Sequence, residues 1–139
     1  MREVMFNKSE SGSLFFNNKT QSIRLKRSIR FDSIEQRLIA IKMYNEDSDV
    51  IYLTEMDIHS PENWKAFESF VQKNKEIIKE SKDVSMFLNN KTQAVRIPAS
   101  MAFSPQSKEA RIEEYFITES QSDVSTSSQK ILKLIVDRG

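Results

Sequence analysis

A chain of 139 residues has room for one small domain, or for two half-domains sharing a core. Its 21 basic and 20 acidic residues leave a formal net charge of +1, which excludes a polycation, so any affinity for nucleic acid has to come from local clustering. The absence of cysteine excludes a disulfide framework and thiolate metal sites, and nothing in the sequence approaches membrane-spanning length.

The opening residues, MREVMFNKSESG, contain no apolar run of the signal-peptide kind, and with the missing cysteines this gives the expectation of a cytoplasmic protein. Residues 1–12, rich in Ser, Glu and Asn, read as a loose arm or an extra edge strand. From Ser13 to Phe31 comes SLFFNNKTQSIRLKRSIRF, and 72 positions later, from Ser85 to Phe103, comes SMFLNNKTQAVRIPASMAF. The two agree at 10 of their 19 positions, including the polar run Asn17, Asn18, Lys19, Thr20, Gln21 against Asn89, Asn90, Lys91, Thr92, Gln93. Core packing exchanges apolar residues freely and does not by itself hold five polar residues in register. The repeat therefore predicts one structural module used twice, with its polar loop facing outward.

Within the first copy, Ser13–Phe16 and Ile23–Leu25 read as paired strands around a turn, since Asn tolerates left-handed backbone. Lys26–Arg30 is long enough for one helical turn. Arg37–Tyr44 and Val50–Leu53, rich in β-formers and separated by the polar Asn45–Asp49, predict a hairpin. Ser60, Pro61 and Glu62 then supply an N-cap hydroxyl, a first-turn proline and a first-turn acid. Trp64, Phe67, Phe70, Val71, Ile77 and Ile78 recur at helical spacing, so the pattern predicts an amphipathic helix from Pro61 to about Lys82. In the second copy Pro98 suits the start of a short helix, and Arg111–Thr118 reads as a strand. After a serine-rich stretch, Glu119–Gln129, the segment Lys130–Val136 reads as a strand by analogy with Val50–Leu53, although its length also admits a short helix.

The polar loop followed by AVRIP and a small helix, doubled, with an aromatic segment after the first hairpin, resembles the DNA-binding domain of VapB-type antitoxins in the SpoVT-AbrB (swapped-hairpin) class. The resemblance spans Ser13 to Val71 and again Ser85 to Thr118. It implies a mainly β fold with α: a swapped-hairpin, AbrB-like barrel built as a single-chain pseudo-dimer, with a linking amphipathic helix. The implied organisation is an arm at 1–12, a first half at 13–58, the linking helix at 59–83 and a second half at 84–139. It also implies an autorepressing protein that binds double-stranded operator DNA and neutralises a PIN-domain ribonuclease toxin. The expected state is a monomeric pseudo-dimer that can pair further. Lys26, standing where the family's RLP/RIP pattern has proline, departs from it and leaves the start of the first short helix open.

For DNA, the candidate residues are Asn17, Asn18, Lys19, Thr20, Gln21, Arg24, Lys26 and Arg27, with Asn89, Asn90, Lys91, Thr92, Gln93 and Arg96. Lysine and arginine neutralise phosphates, arginine also pairs with guanine, and the amides and hydroxyls suit phosphates or base edges. A structural reading stands beside each: the asparagines make the turn, and the arginines pair with neighbouring acids. Copy one carries Lys26, Arg27 and Arg30 where copy two has Pro98, Ala99 and Ala102, so the face is lopsided. Trp64, Phe67, Phe70 and Val71 are the candidate partner-binding stripe; the alternative is that they pack on the chain's own barrel.

No catalytic constellation emerges. His59 stands alone, and Gly12 and Gly139 make no phosphate loop, so no metal, cofactor or enzymatic activity is expected. A protein-interaction module without specific DNA affinity is the competing function.

Overall fold

In the computed structural model, which describes residues 2–32, 37–119 and 129–138, the chain is mainly β with a single α-helix. The strands are β1 (Arg2–Asn17), β2 (Thr20–Leu25), β3 (Leu38–Tyr44), β4 (Ser48–Thr54), β5 (Ile77–Val84), β6 (Met86–Asn89), β7 (Thr92–Arg96), β8 (Glu109–Glu119) and β9 (Gln129–Asp137). Helix α1 covers Pro61–Lys73, and a 3-10 turn covers Ala99–Met101. The strands form one curled antiparallel half-barrel in the order β5-β3-β4-β9-β8-β1-β2-β7-β6.

Strand β1 is the bend. Its first part pairs with β8, and its last four residues pair with β2. At the corner lies Gly12, where a Cβ would meet the Arg24 carbonyl and the Ile112 Cδ1 at 2.7 Å each. The sheet thus folds into a six-stranded portion, β5 to β1, and a four-stranded portion, β1 to β6. Alternating residues of both portions meet in the main core: Leu14, Ile23, Leu25 and Val95 from the smaller, and Leu38, Ile51, Ile112 and Leu134 from the larger. The opposite face of the six strands, including Ile41, Met43, Tyr52 and Ile131, packs under α1 through Ala66, Phe67 and Val71.

The repeat is wider in structure than in sequence. Strand β8 repeats β3, and β9 repeats β4, with a longer connection in the second copy. Segment Met5–Gly12 of β1 also corresponds to β5. Gly12 lies opposite Ala110, and Val84, 72 positions on, lies opposite Leu38, which is Ala110's equivalent. Each copy's first segment therefore pairs with the other copy's third strand. At the centre of the four strands Ile23 faces its own equivalent Val95, and in the larger portion Tyr52 faces Lys133, its equivalent in β9. A local two-fold axis runs between both pairs.

One expectation needs correction, and one is settled between its two alternatives. The helix ends at Lys73, not near Lys82. Lys75 adopts φ 58°, and the Glu76 and Lys75 amides donate to the Val71 and Gln72 carbonyls, closing the helix with a left-handed cap. Ile77 and Ile78 continue the apolar spacing but belong to strand β5, because pairing along the whole of β3 satisfies a backbone that a longer helix would take away from the sheet. Residues 2–12, in turn, are a strand along their full length, forming one edge of the six-stranded portion. Lys130–Val136 falls within a strand, while Lys26–Arg30 makes a turn closed by the Ile29 amide on the Lys26 carbonyl. The serine-rich stretch lies almost wholly outside the described residues.

Candidate functional site on the outer four-stranded face

The two hairpins of the repeat meet side by side, with β2 paired to β7. Each turns in two residues. Asn18 and Lys19 have φ of 52° and 67°, and Asn90 and Lys91 repeat those values, as a primed hairpin turn requires. Asparagine enters this region readily, but lysine does so at a cost of about 1 kcal/mol, and glycine would be the relaxed choice. Both copies nonetheless keep lysine, and both lysines are exposed.

Cross-strand partners share a face, which places Phe15, Ser22 and Arg96 in one row and Arg24, Ala94 and Phe87 in the next. These side chains point away from the main core. The Arg24 guanidinium lies 4.0 Å from the centre of the Phe15 ring, and Arg96 lies 4.7 Å from that of Phe87. The two rings approach edge-on at 6.5 Å across the local axis. Stacking on a ring fixes the guanidinium plane while leaving its edge for an acceptor. Among the described residues neither arginine pairs with an acid. Arg24 instead donates through Nε (3.2 Å) and Nη2 (2.7 Å) to Asn89 Oδ1 of the other hairpin.

Asn17, Thr20, Asn89 and Thr92 are half-buried around this platform, and Asn18 and Asn90 are exposed at the turns. Lys26 lies at its margin, where it donates to Ser11 Oγ at 3.2 Å and approaches Glu10 at 3.7 Å; Arg27 is exposed nearby. Phe16 and Leu88, equivalent positions, leave 54% and 57% of their surface exposed beside the turns.

Gln21 and Gln93 do not face outward, and this corrects their assignment to the polar surface. Both are buried, at 2% and 4% exposure. Gln21 accepts from the Phe103 amide (2.7 Å) and donates to the Phe103 carbonyl (3.3 Å), while Gln93 does the same to Phe31 at 2.8 and 3.0 Å. Each glutamine acts as a surrogate strand for the other copy's chain, which accounts for its retention in both. Core satisfaction, not recognition, holds it.

The aromatic stripe of α1 is likewise turned largely inward. Phe67 and Val71 are buried at 0% and 3% exposure, so they are unavailable as partner anchors. Phe67 stands edge-on to Tyr52 at 5.2 Å, and the half-buried Phe70 packs on Tyr115 at 4.8 Å. Trp64 is half-buried, tilted against Phe67. Below the helix end Glu76 is buried and accepts from Tyr52 Oη (2.5 Å) and Asn45 Nδ2 (2.9 Å), with Lys133 Nζ at 3.1 Å. Burial, reinforced by the Glu76 carboxylate, holds the Tyr52 hydroxyl protonated far above the usual phenol range. Beside α1 a groove of about 630 Å³ runs along the free edge of β1, lined by Arg2, Val4, Lys65, Phe70 and Lys73.

Phe15 and Phe87 are identical between the copies and belong to the site as well, but nothing in their own sequence context marks them; only the arginines stacked on them reveal their role. No described helix is long and apolar enough to cross a membrane. Comparison of the chain with protein-family models, curated proteins and solved structures finds no match to any of them.

Proposed function

We propose that this chain is an antitoxin-like DNA-binding protein of the swapped-hairpin kind, whose two copies act together as a single-chain pseudo-dimer. The observation that carries the reading is the outer face of β1-β2-β7-β6. Two arginines, stacked on two phenylalanines and related by a local two-fold, lie on one surface flanked by two lysine-bearing turns. Duplex DNA supplies phosphates and base edges at matching two-fold intervals, and a pair of oriented guanidiniums suits both. The target is the operator of the protein's own transcription unit. Neutralisation of a PIN-domain ribonuclease belongs to the same proposal. The partner surface is then the β1 edge and the groove beside α1, where Phe70 remains partly open, and not the buried Phe67 and Val71.

Arg24→Ala combined with Arg96→Ala tests the DNA reading by fluorescence anisotropy on duplexes from the protein's own upstream region. Affinity falls, and the log–log salt slope flattens by about one unit for each phosphate no longer neutralised. No binding by the wild-type protein at about 50 mM salt would instead favour the pure interaction module. For the pseudo-dimer, light scattering at micromolar concentration is expected to give the monomer mass of 16.2 kDa. An obligate species of twice that mass, with β1 and β2 paired between chains, refutes the single-chain arrangement.

A further inference from the structure

The two halves of the stacked-arginine face are not chemically equivalent. Arg24 is half-buried and spends its Nε–Nη2 side on Asn89. Arg96 is exposed and its guanidinium makes no hydrogen bond or ion pair among the described residues, so its whole donor fork is open. The small residues between the strands differ too. Ser22, directly opposite Arg96, is fully buried, and its hydroxyl is the buried side-chain group without a hydrogen-bond partner among the described residues. At the equivalent place, opposite Arg24, stands Ala94, which needs none. An orphaned buried hydroxyl carries a cost that a methyl group in its place avoids.

Resting on the DNA-binding reading, we infer that the face has divided its labour: Arg96, with Ser22 as its cross-strand neighbour, is the base-reading arm of one half-site, while Arg24 is a fixed phosphate contact in the other. When Arg96 swings from Phe87 to a base edge, the same base can offer an acceptor or donor to the neighbouring unpaired Ser22 hydroxyl. Arg24 stays latched across the axis and offers its remaining N–H groups to the backbone. Lys26, Arg27 and Arg30 extend that half with further charge, where copy two has Pro98, Ala99 and Ala102. The preferred ligand is accordingly a non-palindromic duplex, although the fold has a local two-fold.

The test is selection of the full chain against duplexes carrying a randomised central segment, followed by anisotropy titrations of Arg24→Ala, Arg96→Ala and Ser22→Ala. The expected consensus is asymmetric. Arg96→Ala is expected to lower the preference for selected over random duplex by about tenfold or more, the scale of one bidentate arginine–guanine pairing. Arg24→Ala weakens both duplexes by a similar factor and leaves the preference within about twofold. Ser22→Ala lowers the preference in the same direction as Arg96→Ala without lowering the melting temperature. A palindromic consensus, or equal effects of the two arginine variants on preference, overturns the division of labour while leaving DNA binding intact. Failure of the wild-type chain to retain any duplex overturns both.

Discussion

Between Met5 and Gly12 the first copy reads MFNKSESG, and between Ile77 and Val84 the second reads IIKESKDV; only Ser9 and Ser81 agree. Their backbones nevertheless do the same thing. Each pairs antiparallel with the other copy's third strand in the same register, and each skips one residue at the same place: Asn7 between Phe6 and Lys8, Lys79 between Ile78 and Glu80. A bulge increases local twist and so helps a sheet curl, and the fold needs that curl in both halves. Side chains are exchanged around it in compensating pairs. Gly12 meets Ile112, whereas in the other half Val84 replaces the glycine and Ala40 replaces the isoleucine. Backbone register persists where identity does not, because register is fixed by which face is apolar and by total volume.

The sharpest difference between the halves is α1, which has no counterpart in the second copy among the described residues. It seals one face of the six-stranded portion, so it should behave as core. Phe67→Ala is expected to cost about 3–5 kcal/mol in a thermal or denaturant melt with no partner present, as for other buried aromatic truncations. The half-buried Trp64 should cost less under the same change. A loss below about 1 kcal/mol for Phe67→Ala would mean that the helix is held loosely and its stripe is free for a partner after all.

One pair of equivalent positions carries opposite chemistry. In the second copy Glu114 is buried beside Lys130 at 3.3 Å, with Asn7 donating to it at 2.6 Å and Lys130 Nζ donating to the Arg30 carbonyl at 2.6 Å. In the first copy the same two places hold Lys42 and Asp49, and Asp49 turns to Arg138 at 3.4 Å instead. Burial, with Asp49 offsetting part of its effect, holds the Lys42 ammonium below the usual lysine range. Glu114→Ala strands the Lys130 charge in a largely buried setting and is expected to cost about 3–5 kcal/mol, the range for breaking buried pairs. Lys42→Met removes a poorly compensated charge and should be neutral or slightly stabilising. Equal losses at the two sites would show that the halves are electrostatically alike.

The glutamines measure how far the symmetry extends into energetics. Gln21→Ala leaves the Phe103 amide and carbonyl without their partner, and Gln93→Ala does the same to Phe31. Two buried backbone groups are orphaned in each case, for an expected loss of about 2–3 kcal/mol, the two variants agreeing within about 1 kcal/mol. Urea melts of the two single variants compare them directly. A loss at one site only would confine the clamp to one half.

Much of this architecture was legible in the sequence. Strands at Ser13–Phe16, Ile23–Leu25 and Arg37–Tyr44 follow from local composition, and the repeat required that they occur twice. Strand β5 was not legible, because Ile77 and Ile78 fall at helical spacing after Phe70 and Val71, and the stop lies in Lys75, a residue that carries no αL signal. The extent of the repeat stayed hidden for the same reason. In the site, the arginines and turn lysines were legible as charge in equivalent positions. The inward turn of Gln21 and Gln93 was not, since five consecutive polar residues give no sign of where the turn ends and the core begins. Their partners, Phe31 and Phe103, lie in the opposite copy.

The smallest expected effect bears on the turns themselves. Lys19 and Lys91 occupy left-handed backbone at φ 67°, a place where glycine is relaxed and lysine is strained. Lys19→Gly and Lys91→Gly should therefore leave stability unchanged or raise it by a few tenths of a kcal/mol, the relief of strain being partly offset by the greater freedom of glycine in the unfolded chain. If the lysines are kept for charge, each change should also weaken binding to duplex DNA and reduce the salt slope by about one unit. The two readouts separate the explanations. Greater stability with weaker binding identifies a lysine retained for its ammonium against the preference of its own backbone. A clear loss of stability, with binding per folded molecule unchanged, would show that the lysine serves the hairpin and that the cationic turns are not where this face meets its ligand.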